Sequence, residues 1–250
     1  MFLRGVLGIQ GLRNGGRRLY HSIDHSMSNL IVNGDKIESK ILTKALDYIP
    51  QYGVHKQCIT QAIRDLGFPD SINALLAAGN GSVEYQLCQF WLKFQRQKLN
   101  DYIVQPDSQF HKLSDEYERV EHLINKRLEY NQPIKPQLSQ ILSQLVIPYN
   151  IPSSLEELHN LSDDISFFAG DSSIDFAWYS KRFTVSTIYV SSELFQLQDS
   201  SKDFISTKQF VNDKVREMKK LGNAYNDVEQ WGVFNAISLV NLIKSQLIRG

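Results

Sequence analysis

Carboxylates and histidines stand at several spacings in this chain that could do chemistry. A di-iron centre in a helical bundle takes inward Glu residues and two Glu-x-x-His motifs. The chain carries one such motif, Glu156-Glu157-Leu158-His159, and no second. Glu118 and His122 lie at i, i+4, one residue too far apart for the same use. Both pairs read as surface charge on amphipathic helices, because metal needs the full ligand set. The cluster Asp163, Asp164, Asp171 and Asp175 has the charge to hold a hard cation. Helix capping accounts for it more simply. Asp163 and Asp164 fall on the polar face of one predicted helix. Ser172 stands as the N-cap of the next, with Asp175 at the capping-box position. There is no Gly-rich phosphate loop, nucleophile elbow or HExxH zinc motif. No catalytic residue, metal or cofactor is therefore assigned.

The elements that must position these residues are helices. Apolar residues recur at helical spacing from about Asp35, and no useful period-2 run occurs, so the class is all-α with about nine or ten helices. Helices are expected over about 35–49, 55–65, 72–78, 82–103, 110–130, 138–147, 154–169, from Gly170 to about Gln198, 203–221, and from about Asn226. The 250 residues suffice for a sizeable core. Formal net charge is zero, which gives nucleic acid no bulk attraction. Cys58 and Cys88 lie far apart without a CxxC, which argues against a disulfide framework or a thiolate metal site.

The charge is unevenly spread. Residues 1–22 hold Arg4, Arg13, Arg17 and Arg18 and no acid, the composition of a mitochondrial targeting segment. Without it the chain keeps 23 basic against 27 acidic residues. Residues 35–81 follow as helix, helix, Gly-containing turn and helix, a helix-turn-helix arrangement resembling the TetR regulators. A DNA reader would present Arg, Lys, Asn or Gln to base edges and neutralise phosphates. The candidate recognition helix, DSINALLAA from Asp70, has no basic residue. A TetR-type transcriptional regulator thus stands as the alternative, against its own electrostatics.

The densest stretch is LSDDISFFAGDSSIDFAWYSKR, Leu161 to Arg182. Together with Ile188-Tyr189, Glu193-Leu194, Gln198-Asp199-Ser200-Ser201 and Asp203-Phe204 it resembles the signature of the mitochondrial coenzyme Q biosynthesis accessory proteins of TetR-like fold, in particular their yeast-type members. The resemblance implies a non-catalytic lipid-binding protein of ubiquinone synthesis. It would give a membrane-bound di-iron hydroxylase access to polyprenyl quinone intermediates. It also implies an isoprenoid, quinone or phospholipid ligand in a larger helical domain (82–223), a homodimer, and a multiprotein complex on the matrix side of the mitochondrial inner membrane. The partner-binding patch it implies is Asp175, Trp178, Tyr179 and Arg182.

Those four residues fall at i, i+3, i+4 and i+7, one stripe of a helix. Aromatics framed by charge suit an interaction hot spot, while an inward-packed Trp178 is the competing reading. Val185, Ile188, Tyr189 and Phe195 follow as core or as lipid-pocket wall, which use the same residue types. Residues 224–250 form an amphipathic helix. Leu239, Val240, Ile243 and Leu247 lie along its apolar stripe, widened by Trp231, Phe234 and Ile237. The uncharged run between Glu229 and Lys244 is shorter than the roughly 18 residues of a spanning helix. This helix is expected to lie on a bilayer surface, or else to serve as a terminal core or dimer helix.

Overall fold

The structure is a computed structural model and describes residues 32–77, 81–173 and 175–222. The expected targeting segment 1–22 and the expected membrane-lying helix 224–250, with Trp231, Phe234, Ile237, Leu239, Val240, Ile243 and Leu247, fall outside the described residues. The described residues are all-α, with no strand among them. The helices run in the order α1 Ile37–Leu46, α2 Ile49–Tyr52, α3 Lys56–Asp65, α4 Asn73–Ala77, α5 Val83–Val104, α6 Glu116–Glu129, α7 Leu138–Leu145, α8 Ile151–Ala169, α9 Asp175–Gln198 and α10 Ile205–Gly222. Short 3-10 turns precede α4, α6, α7 and α10.

The spine is α5. Its 22 residues span about 33 Å at 1.5 Å per residue. Ser82 starts it by accepting a hydrogen bond from the Tyr85 N–H at 3.1 Å. Its first half, Leu87, Cys88 and Trp91, packs into an apolar cluster with Ile41, Ala45, Ile49, Ile59, Ile63 and Ile141. Its second half, Leu99 and Ile103, packs into another with residues of α6, α8, α9 and α10, including Leu123, Ile165, Val185 and Val211. One long helix therefore serves two cores.

The stretch expected as a single helix over 110–130 is divided. A 3-10 turn covers Gln109–Lys112, Leu113 is extended, and α6 begins after Asp115. The Asp115 carboxylate accepts from the Tyr117 and Glu118 N–H groups at 2.9 and 3.2 Å. It satisfies donors that a helix start leaves open, and so sets the boundary.

At the other end of the site, α8 stops at Gly170, whose φ of 95° is left-handed. The Gly170 and Asp171 N–H groups donate back to the Phe167 and Ser166 carbonyls, both at 3.0 Å. The next helix begins at Asp175, so Ser172 is not its N-cap. The turn is organised by Asp171 instead, which accepts from both the N–H and the hydroxyl of Ser173.

Candidate functional site

The site is the hairpin of α8 and α9, seated on α5 and α6. Helix α8 is unusual in what it buries: Glu157, Asp163 and Asp164 are all at most 5% exposed. Buried carboxylates demand partners. On the α5 side, Arg96 donates from Nε to Glu157 Oε1 at 2.7 Å and from Nη2 to Glu157 Oε2 at 3.2 Å. Its Nη1 reaches Asp164 Oδ2 at 3.0 Å, where Asn100 Nδ2 also donates at 3.3 Å. Burial works against the Arg96 charge, but Glu157 and Asp164 outweigh it and hold the guanidinium even more firmly protonated.

On the α9 side the partner is Arg182. Its Nε donates to Asp163 Oδ1 at 2.6 Å and its Nη1 to Asp171 Oδ2 at 2.8 Å. Lys181 donates to Asp171 Oδ1 at 2.8 Å and to Glu116 Oε1 of α6 at 2.7 Å. Counting the two bonds from Ser173, Asp171 accepts four, the capacity of a carboxylate. Burial alone would raise its pKa. The bonds from Lys181, Ser173 and Arg182 reverse that and hold the carboxyl below its usual range. The acids that capping was expected to explain are thus largely the buried halves of ion pairs. Among the described residues no group of three or more His, Cys, Asp or Glu side chains is placed to hold a metal ion. Of the two Glu/His pairs, His122 bonds to the Tyr102 hydroxyl at 2.8 Å, and Glu156 is exposed beside the ion-paired Glu157.

The expected stripe on α9 divides when its burial is examined. Arg182 is 4% exposed, so it is not a surface residue. It faces α8 and the turn that follows because Asp163 and Asp171 there require it. Trp178 is half-buried, its ring centroid 3.9 Å from the Arg182 guanidinium carbon. His159 meets that ring edge-on with 6.1 Å between centroids, and Tyr179 does so at 4.7 Å. Tyr179 itself is 67% exposed. Asp175 opens α9 one turn before Trp178. Sequence reasoning passed over two exposed apolar neighbours, Phe183 one turn beyond Tyr179 and Leu155 one turn before His159. The i, i+4 spacing of Phe183 from Tyr179 was the available signal.

Further along α9, Val185, Ile188 and Tyr189 are buried in the second core. Phe195 is not: it is 40% exposed and stacks flat on Phe210 of α10, with centroids 4.8 Å apart. Its apolar character suggested an interior position, but its face of α9 looks toward the edge of α10. The Tyr189 hydroxyl donates to Glu193 at 2.8 Å, and burial pushes its pKa well up. The fully buried Arg127 guanidinium lies between the Trp91 and Tyr189 rings, 4.9 and 5.5 Å from their centroids. Asn131 links it to Glu193 and Gln196. Arg127 had no local signal in the sequence. At the N-terminal end, the candidate recognition helix is the turn Asp70–Ile72 and the five-residue α4, and neither has a basic residue. No helix among the described residues is long and apolar enough to cross a membrane.

The family model described as COQ9 matches residues 151–222, which is α8, α9 and α10. The ubiquinone biosynthesis protein COQ9, mitochondrial, of Saccharomyces cerevisiae is 35% identical over 250 residues, covering 93% of this chain and 95% of that protein. Its counterpart in Schizosaccharomyces pombe is 35% identical over 231 residues, covering 92% of this chain and 88% of that protein. The human protein of the same name is 30% identical over 204 residues, covering 79% of this chain and 62% of its own length.

Proposed function

The chain belongs to the COQ9 family, and from that premise we propose that it serves ubiquinone biosynthesis in the mitochondrion as a non-catalytic lipid-binding accessory protein. In this reading it gives a membrane-bound di-iron hydroxylase access to polyprenyl quinone intermediates. It docks that enzyme through Trp178 and Tyr179, on a helix whose later turns, at Val185, Ile188 and Tyr189, face the lipid-binding interior. Residues 1–22 direct import and 35–81 keep a helix-turn-helix shape without DNA binding. Residues 82–223 hold lipid and the dimer contact. Residues 224–250 lie on the matrix face of the inner membrane, through Trp231, Phe234, Ile237, Leu239, Val240, Ile243 and Leu247.

The observation that carries the docking role is the Trp178–Tyr179 pair. One ring is half-buried on a fixed guanidinium and the other is two-thirds exposed, at the start of a helix tied by ion pairs to α6 and α8. Interface hot spots combine a rigid aromatic anchor with a preorganised support. Trp178→Ala removes the anchor without touching the Arg182–Asp163 or Arg182–Asp171 bonds. Co-purification of the hydroxylase with the full chain should fall at least tenfold while the melting temperature changes little. Undiminished co-purification would refute the docking role. Lipid extraction and mass spectrometry of the purified protein test the ligand: isoprenoid, quinone or phospholipid at near stoichiometry is expected, and an empty extract counts against it.

A further inference from the structure

Resting on the docking role proposed above, we infer that Arg182 serves the partner from beneath, as a positioning residue that sets the Trp178 indole and itself touches no partner. The guanidinium has no freedom of its own. Its plane is fixed by Asp163 at 2.6 Å on one helix, by Asp171 at 2.8 Å in the turn, and by the Trp178 carbonyl at 3.2 Å. Asp171 is anchored in turn through Lys181 to Glu116 of α6. The face left over is covered by the indole, 3.9 Å from ring centroid to guanidinium carbon.

A tryptophan on the first turns of a helix has several rotamers open to it. A flat cation held in one plane selects among them, because the ring's negative face seeks it. Tyr179 packs edge-on against the selected ring, and His159 closes another side. The pair is therefore arranged before a partner arrives, and less side-chain entropy is lost when it does. Arg182 is 4% exposed, so its effect on a partner has to pass through the indole.

Arg182→Lys separates positioning from packing. Lysine keeps the positive charge for Asp163 and Asp171 but offers no planar face. The full chain is labelled with 15N at the tryptophan indoles, and the Trp178 resonance is assigned by its loss in Trp178→Phe. Arg182→Lys should keep its helical circular dichroism. Its Trp178 resonance should shift and show a reduced heteronuclear NOE, and hydroxylase capture should drop about tenfold through the added ordering cost. An unmoved indole resonance overturns the proposal, as does a moved resonance with undiminished capture. Should Arg182→Lys fail to fold, Asp171→Asn, which loosens the clamp by one charge, takes the same two readings. Undiminished capture by Trp178→Ala removes the docking role itself and the partner half of the proposal with it. The resonance distinguishes that failure from a failure of Arg182 to hold the ring.

Discussion

The two ends of α5 are packed by different physics. Around Leu87 and Trp91 the neighbours from α1, α3 and α7 are Ile41, Ala45, Ile59, Ile63 and Ile141, an almost purely apolar cluster. Around Arg96 the neighbours are the buried Glu157 and Asp164 of α8, and the same helix sends the buried Asp163 to Arg182 of α9. Apolar area stabilises without much direction, and volume-conserving changes are tolerated in it. Ion pairs add little net stability once desolvation is counted, yet they are costly to break. Their effect here is assignment: Glu157 and Asp164, seven residues apart, belong to α5, while Asp163 belongs to α9. Helix α8 cannot turn on its axis without stranding charge. That fixity sits under the proposed docking surface, and the apolar cluster sits away from it.

The largest expected effect tests this contrast directly. Arg96→Met leaves Glu157 and Asp164 buried without their guanidinium and should destabilise the fold by about 3–5 kcal/mol. Ile63→Val, at a fully buried site of the apolar cluster, should cost about 0.5–1.5 kcal/mol. Urea unfolding of both variants measures the gap. Equal losses would mean that the charged region is no more tightly specified than the apolar one.

The contrast also explains what was legible in the sequence. Helix periods, the Ser82 start of α5 and the Gly170 stop of α8 are local signals, and the all-α class follows from them. The ion pairs are not local. Arg96 meets Glu157 and Asp164 at separations of 61 and 68 residues, so no spacing rule points to them. The resemblance put Arg182 in the docking patch, and its i, i+7 spacing from Asp175 set it on the same stripe. Its sense, inward rather than outward, depends on acids contributed by α8 and the turn. Phe195, read as core or pocket wall, lies outside the core. An aromatic was expected inside, and α10 supplies a surface partner, Phe210, that makes exposure tolerable.

Acid provides a second, smaller separation of the two regions. Asp171 is held below the ordinary carboxylate range, and Asp199 is lowered to about 2. Burial opposes the Asp199 shift, but bonds from Ser201 and Thr207 outweigh it. A folded pKa below the unfolded value means that the linked stability is complete above about pH 4. It is lost as pH falls through the folded value, because the unfolded chain then binds more protons. For Asp199 the loss between about pH 4 and pH 2 is on the order of 2 kcal/mol. Hydrogen exchange at pH 5 and pH 3 should show protection falling first at the α8–α9 turn and the start of α10. Amides of α1 and α3 should change less. Uniform loss across the chain would erase the distinction.

The smallest effect is the sharpest test of whether a lysine–carboxylate pair matters because of its charge or because of where it sits. Lys44 and Asp47 pair at 3.2 Å with side chains 38% and 65% exposed. Lys181 pairs with Glu116 and Asp171 at 2.7 and 2.8 Å, and the Asp171 side chain is 1% exposed. Exposed pairs give back in side-chain entropy and salt screening most of what attraction supplies. Lys44→Met should therefore leave the melting temperature unchanged within error, at low salt and high. Lys181→Met removes one of four bonds to a buried carboxylate and should cost about 1–2 kcal/mol, with Arg182 still in place. Equal shifts in the two variants would place the Lys181 bond with ordinary surface pairs. A clear difference would locate the rigidity of the hairpin in the turn at Asp171, one step from the residue that holds the indole.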